Sequence, residues 1–184
     1  HQLLLRIQYR VRGLYRRSPE IEHLLNKKPR HKFSHLDTSG HVRMVDVGAK
    51  PQTERYARAS AQVLLKPATI RALRSLKKGD AIAAARVAGI MAAKKTAALI
   101  PLAHPIPITH CAVDISTSSR GVDISATVRT KSETGVEMEA LTAVSVAALT
   151  IYDMIKSVER GAVITNIRLE EKYGGKSGHY KRQG

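Results

Sequence analysis

The chain has 184 residues, 43% of them hydrophobic, which is enough for one domain with a real core and too little for two. Its single cysteine, Cys111, excludes an intrachain disulfide framework, and no run is expected to reach the roughly 18 uncharged apolar residues of a membrane span or to form a secretory signal. A net charge of +16 points to polyanions or phosphorylated small molecules, and with no Trp, one Phe and no zinc-finger spacing a phosphate-bearing metabolite fits better than nucleic acid.

Taken in chain order, residues 1–32 differ from the rest. They belong to a stretch, 1–33, that carries nine Lys or Arg against Glu20 and Glu22, and they read as a basic appendage to a domain spanning 33–184. HVRMVDVGAK, residues 41–50, reads as a short strand and RASAQVLL, 58–65, as a second. Pro67 suits the first turn of a helix, PATIRALRSL, that Gly79 ends. Asp80 is a good N-cap for AIAAARVAGIMAAKKTAAL, which Pro101 and Pro105 stop. CAVDIST and VDISATVRT alternate in polarity around SSRG as a hairpin does. An apolar helix over 134–156 follows, closed by Gly161, and ITNIRLEEK forms the final strand. Alternating strands imply an antiparallel sheet with one face covered, and two Ala-rich helices are available to cover it, so the fold class is an α+β two-layer sandwich.

The polar residues that interrupt these elements carry the chemistry. Asp153 and Lys156 share one face of an otherwise apolar helix, either as a helix-end ion pair or as a site. Lys78 precedes Gly79-Asp80 at the start of a helix, where it is a solvated turn lysine or a phosphate clamp and proton carrier. Lys94, late in the second helix, also suits the helix dipole. Prolines pin His104 in IPLAHPIPI, as a hydrogen-bonded core group or as a catalytic one. Glu137 and Glu139 stand two apart at a strand-to-helix transition, where an extended backbone aims both the same way, for acid-base chemistry, ring binding or helix capping. GGKSG lacks the spacing of a Walker loop, which leaves a simple anion nest of Gly174, Gly175 and Lys176.

MVDVGAK, LKKGD, AGIMAAKKT, LIPLAHP, TGVEMEALTAVSVAALTIYDMIKSV and KYGGKSG, in this order, resemble the MoaC family, the cyclic pyranopterin monophosphate synthases of molybdenum cofactor biosynthesis. The resemblance covers roughly residues 35–180 and departs where the family usually reads LCHP and this chain has Leu102-Ala103-His104-Pro105. It implies a ferredoxin-like fold and a lyase that turns 3',8-cyclo-7,8-dihydro-GTP, supplied by a radical SAM cyclase, into the cyclic monophosphate with loss of pyrophosphate. Also implied is a homohexamer, a trimer of dimers with sites at the dimer interface; a soluble cytoplasmic protein is the expectation from the lack of a span or signal and from the single cysteine. By motif, Asp153, Lys156 and Lys78 are the catalytic residues. Leu102, Ala103, His104, Met138, Glu139, Glu137, Lys172, Lys94 and Arg55 bind substrate. No cofactor or metal is required by this chemistry, and a divalent ion on the leaving pyrophosphate is compatible with it. The competing expectation, resting on charge alone, is a non-catalytic nucleic-acid-binding protein.

Overall fold

The computed structural model describes residue 35, residues 39–73 and residues 79–183. Arg43–Gly184 forms one compact unit, and it holds the whole fold described here. Lys78 and the basic stretch over residues 1–32 lie outside the described residues.

The elements run β1 (Thr53–Leu64), α1 (Pro67–Ala72), α2 (Ala81–Ala93), α3 (Thr96–Leu99), β2 (Ile108–Ser118), β3 (Gly121–Ser132), α4 (Glu137–Ile155), β4 (Val163–Tyr173) and β5 (Tyr180–Lys181). The sheet order is β2-β3-β1-β4-β5, and every neighbouring pair is antiparallel. A strand-helix-strand, strand-helix-strand chain with β1 and β3 central is the ferredoxin-like arrangement, so the expected two-layer α+β sandwich is the one observed.

Period-two patterning places this sheet. Along β1, Ala57, Ala59, Ala61 and Val63 are at most 1% exposed and face the helices, while Arg58, Ser60 and Gln62 point to the other side. That outer face carries polar ladders: Ser60 donates to Glu170 at 2.5 Å, and Gln62 bonds Asp123 and Asn166. On the covered side, Ala140, Ala143, Val144, Ala147, Ala148, Ile151 and Ile155 of α4 are completely buried. A Cβ on Gly89 of α2 would lie 2.9 Å from the Ala143 carbonyl oxygen and 3.3 Å from the Ala147 Cβ, so small residues let the two helices touch at backbone distance. By length and composition α4 could cross a membrane, contrary to the expectation from the sequence. It is instead the core helix, with half of its most apolar window packed inside the fold.

Several local expectations change. Residues 41–50 form no strand: Asp46 accepts the Gly48 N–H at 2.9 Å and Lys50 N–H bonds the Val47 carbonyl, which bends the chain into a turn. β1 begins at Thr53, ahead of the expected start, because β3 supplies partners as far as Ser132. The second helix divides at Lys94, the C-cap of α2, with Lys95 preceding α3. Gly161 does not close α4. Lys156 is the C-cap, and the N–H groups of Val158 and Glu159 both turn back to the Ile155 carbonyl. ITNIRLEEK is not the final strand either, since β5 pairs beyond it. Asp80 does cap α2, accepting from Ile82 and Ala83.

Candidate active site

Chain direction sorts the candidate residues. β3 ends at Ser132 and α4 starts at Glu137, so the first turn of α4 sits beside the start of β1, the start of β2 and the end of β4. This end of the sandwich gathers Arg55, Lys94, Leu102, Ala103, His104, Glu137, Met138, Glu139 and Lys172. Asp153 and Lys156 occupy the other end of α4. Sixteen residues at 1.5 Å each separate Glu137 from Asp153 by about 24 Å along the helix.

At the first end, Lys172 pairs with Ala57 in register and therefore points to the helix side of the sheet. It is only 9% exposed, and its Nζ bonds the Ser177 hydroxyl. Among the described residues no carboxylate pairs with it. Arg55 is held from behind: its Nε donates to the Ser132 carbonyl at 3.3 Å and its Nη2 to the Glu133 carbonyl at 3.2 Å. The guanidinium closes on Gly175 through Nη1, where a Cβ would sit 1.4 Å from that nitrogen. Gly174 and Gly175 have φ of +99° and +75°, so both the backbone and the close approach require glycine. At the start of β1 the Thr53 hydroxyl is buried, with no hydrogen-bond partner among the described residues. Two cations, an orphaned donor and a glycine turn form a cradle for an anion.

His104 Nε2 donates to the Val45 carbonyl at 2.8 Å, because a carbonyl only accepts; this fixes the proton on Nε2 and leaves Nδ1 to accept when the ring is neutral. The hydroxyl of Thr130 bonds the Pro107 carbonyl and anchors the same segment to β3. Leu102 and Ala103 precede His104 in a turn closed by Ala103 N–H to the Ile100 carbonyl. Lys94, the α2 C-cap, is close enough to act electrostatically on the Cys111 thiol, whose pKa burial nevertheless pushes up.

Glu137 and Glu139 both lie in the first helical turn of α4, so they diverge instead of aiming the same way. Glu137 folds back over Gly135. Glu139 is 3% exposed, and burial, with Glu137 adding to it, pushes its pKa up to about 7. Met138 between them is 39% exposed.

At the far end, Lys156 Nζ is 2.6 Å from Asp153 Oδ1. That bond raises the Lys156 pKa, so the expectation that neighbouring cations loosen its proton is reversed within one subunit. Ser177, Thr53 and the Ser132 and Glu133 carbonyls escaped sequence reasoning; only GGKSG, read as an anion nest, pointed near them. A polar hollow of about 620 Å³ on the open sheet face contains none of the candidate residues.

The chain matches the model of the MoaC family over residues 44–175. It is 54% identical over 156 residues to a cyclic pyranopterin monophosphate synthase of Streptomyces coelicolor, covering 84% of this chain and 92% of the relative. The protein of that name from Parvibaculum lavamentivorans is 54% identical over 154 residues, covering 82% and 96%, and cyclic pyranopterin monophosphate synthase 3 of Mycobacterium tuberculosis is 57% identical over 155 residues, covering 82% and 86%. With its family match covering most of the fold and these relatives aligned over more than four fifths of their length, the chain belongs to the MoaC family.

Proposed function

We propose that this chain is a cyclic pyranopterin monophosphate synthase, a phosphorus-oxygen lyase of molybdenum cofactor biosynthesis. It converts 3',8-cyclo-7,8-dihydro-GTP, the product of a radical SAM cyclase, into cyclic pyranopterin monophosphate and pyrophosphate. The observation that carries this reading is Lys172: a lysine 9% exposed whose side chain, among the described residues, bonds only a hydroxyl needs an anion, and Arg55 is two residues along β1 from its register partner Ala57. A polyphosphate supplies that anion.

Ring opening and pterin closure are successive proton transfers, and Lys156 and Lys78 exchange those protons. Asp153 orients Lys156 through its 2.6 Å contact. His104 Nδ1, Glu137 and Glu139 hold the ring, Leu102, Ala103 and Met138 shape its pocket, and Lys94 adds positive charge. No organic cofactor enters this scheme. The separation of about 24 Å along α4 favours a site completed by two subunits, as in a homohexamer built as a trimer of dimers. We place the reaction in the cytoplasm and residues 1–32 outside the catalytic unit. Nothing in the names of the relatives favours the nucleic-acid-binding alternative.

Incubating the purified chain with the cyclised GTP intermediate tests the reading. Pterin product and pyrophosphate are expected in equal amounts. Neither product from a folded oligomer, together with duplex binding that weakens steeply with salt, would replace the enzyme with a polyanion binder.

A further inference from the structure

Glu159 lies three residues beyond Lys156, outside the candidate set described above, and its placement is unusual for a glutamate in a surface turn. It is 8% exposed. Its Oε2 accepts the backbone N–H of Lys66 at 3.0 Å, and the hydroxyl of Thr69, itself 3% exposed, bonds the same carboxylate. These donors belong to the start of α1, where Lys66 is the N-cap without a side-chain cap and Pro67 has no N–H to offer. A residue 93 positions away in the chain therefore accepts the N–H of the N-cap residue of α1 and ties the start of that helix to the turn after α4.

The other side of this bridge is the turn that carries Lys156. Lys156 N–H bonds the Tyr152 carbonyl at 2.9 Å, and the N–H groups of Val158 and Glu159 bond the Ile155 carbonyl at 2.8 and 2.9 Å. The Tyr152 hydroxyl reaches forward to the Arg160 carbonyl at 3.0 Å. Lys156 itself has a half-exposed side chain, so packing does little to fix its direction. The backbone beneath it is what is fixed, and Glu159 is the link from that backbone to a separate part of the fold.

We propose that Glu159 is a positioning residue for Lys156: by bonding Lys66 and Thr69 it locks the turn after α4 to the β1–α1 junction and sets where the Lys156 ammonium and its Asp153 partner stand. The inference rests on the role given to Lys156 above, and the experiment separates the two. Lys156→Ala tests that role; a fully active Lys156→Ala protein removes it and the Glu159 inference with it. With Lys156→Ala inactive, Glu159→Ala is expected to lower kcat by about 10²-fold, the scale of a small misplacement of a reacting group, with KM near that of the parent protein. Glu159→Gln is expected to recover most of the loss, since its amide oxygen accepts from Lys66 and its amide hydrogens reach the Thr69 oxygen. NMR titration of ε-carbon-labelled lysines, with the Lys156 signal assigned by Lys156→Arg, supplies the readout that general destabilisation would leave alone. In Glu159→Ala the Lys156 pKa should fall back toward that of an ordinary lysine as the Asp153 contact loosens. A folded Glu159→Ala protein with parental kcat, or one with reduced kcat and an unmoved Lys156 titration, overturns the proposal. If Glu159→Ala does not fold, Thr69→Val removes one donor and decides the matter: lower kcat with a shifted Lys156 titration supports the bridge, and parental behaviour rejects it.

Discussion

The first turn of α4 holds Glu139 at 3% exposure, at the same end of the sandwich as the buried Lys172 and the backbone-held Arg55, whereas its last turn presents Asp153 and Lys156 with side chains 59% and 52% exposed. Both ends combine acids with cations on one apolar helix. At the first end the fold itself desolvates Lys172 and Glu139 and holds the cations with carbonyls, a hydroxyl and a glycine turn, so their placement is set within one chain. At the last end the pair is solvated and its lysine keeps its proton tightly. On the proposed function such an end is half of a site, because a lysine meant to exchange protons near neutrality needs surroundings that lower its affinity for them. In the proposed two-subunit site, the first-turn cations of a second subunit would provide those surroundings.

The largest expected effect breaks the weakly held end: Lys156→Ala should reduce product formation by about 10²- to 10⁴-fold, the usual worth of a positioned proton carrier, and Lys78→Ala, outside the described residues, should do the same. Subunit exchange between Lys156→Ala and Lys172→Met chains then sharpens the comparison. At substrate well below the raised KM of Lys172→Met, where both parents turn over little, partial return of activity, read as pterin product, is expected if the two ends meet across an interface; mixed oligomers no more active than the parents would confine the site to one chain. At the prebuilt end, Lys172→Met keeps the stem's bulk and removes the charge. KM should rise by about 10- to 100-fold, the scale of a lost charged hydrogen bond, while the Tm holds or increases because a buried charge is gone. A fall in Tm without a change in KM would make Lys172 structural.

Glu139 gives the next effect. With its pKa raised from 4.5 to about 7, the folded protein keeps a proton that the unfolded chain releases near 4.5. Its contribution to stability is therefore greatest below pH 4.5 and is lost as the pH rises through 7. Glu139→Gln removes that loss, and the variant should exceed the parent protein in stability by on the order of 2 kcal/mol at pH 8 but by little at pH 4. Denaturant titrations at the two pH values check this; a difference that does not change with pH would mean that Glu139 is not buried in solution. The smallest effect belongs to residues 1–32, whose removal should leave turnover with the cyclised substrate unchanged; a large fall would bring their arginines into the site.

What could be read from the residues in order was whatever depends on near neighbours. The alternation in β2 and β3, the Asp80 cap and the Pro67 helix start all follow from contacts within a few positions. MVDVGAK misled because its alternation is real but the sheet offers it no partner, and Asp46 bends it into a turn. Glu137 and Glu139 misled because helix, not strand, begins at the first of them, and a two-residue step then separates side chains.

By itself the sequence determined the α+β class, the apolar core helix and six ordered motifs sufficient to place the chain in its family, since periodicity, caps and motif order are properties of the chain. Only the tertiary structure decided which of those motifs meet. Arg55 finds its carbonyl partners 77 and 78 residues away, Glu159 accepts from the Lys66 N–H 93 residues away, and a rigid helix keeps Glu137 and Asp153 about 24 Å apart. Strand register and helix rise fix such distances, and neither quantity is written in any local stretch of residues.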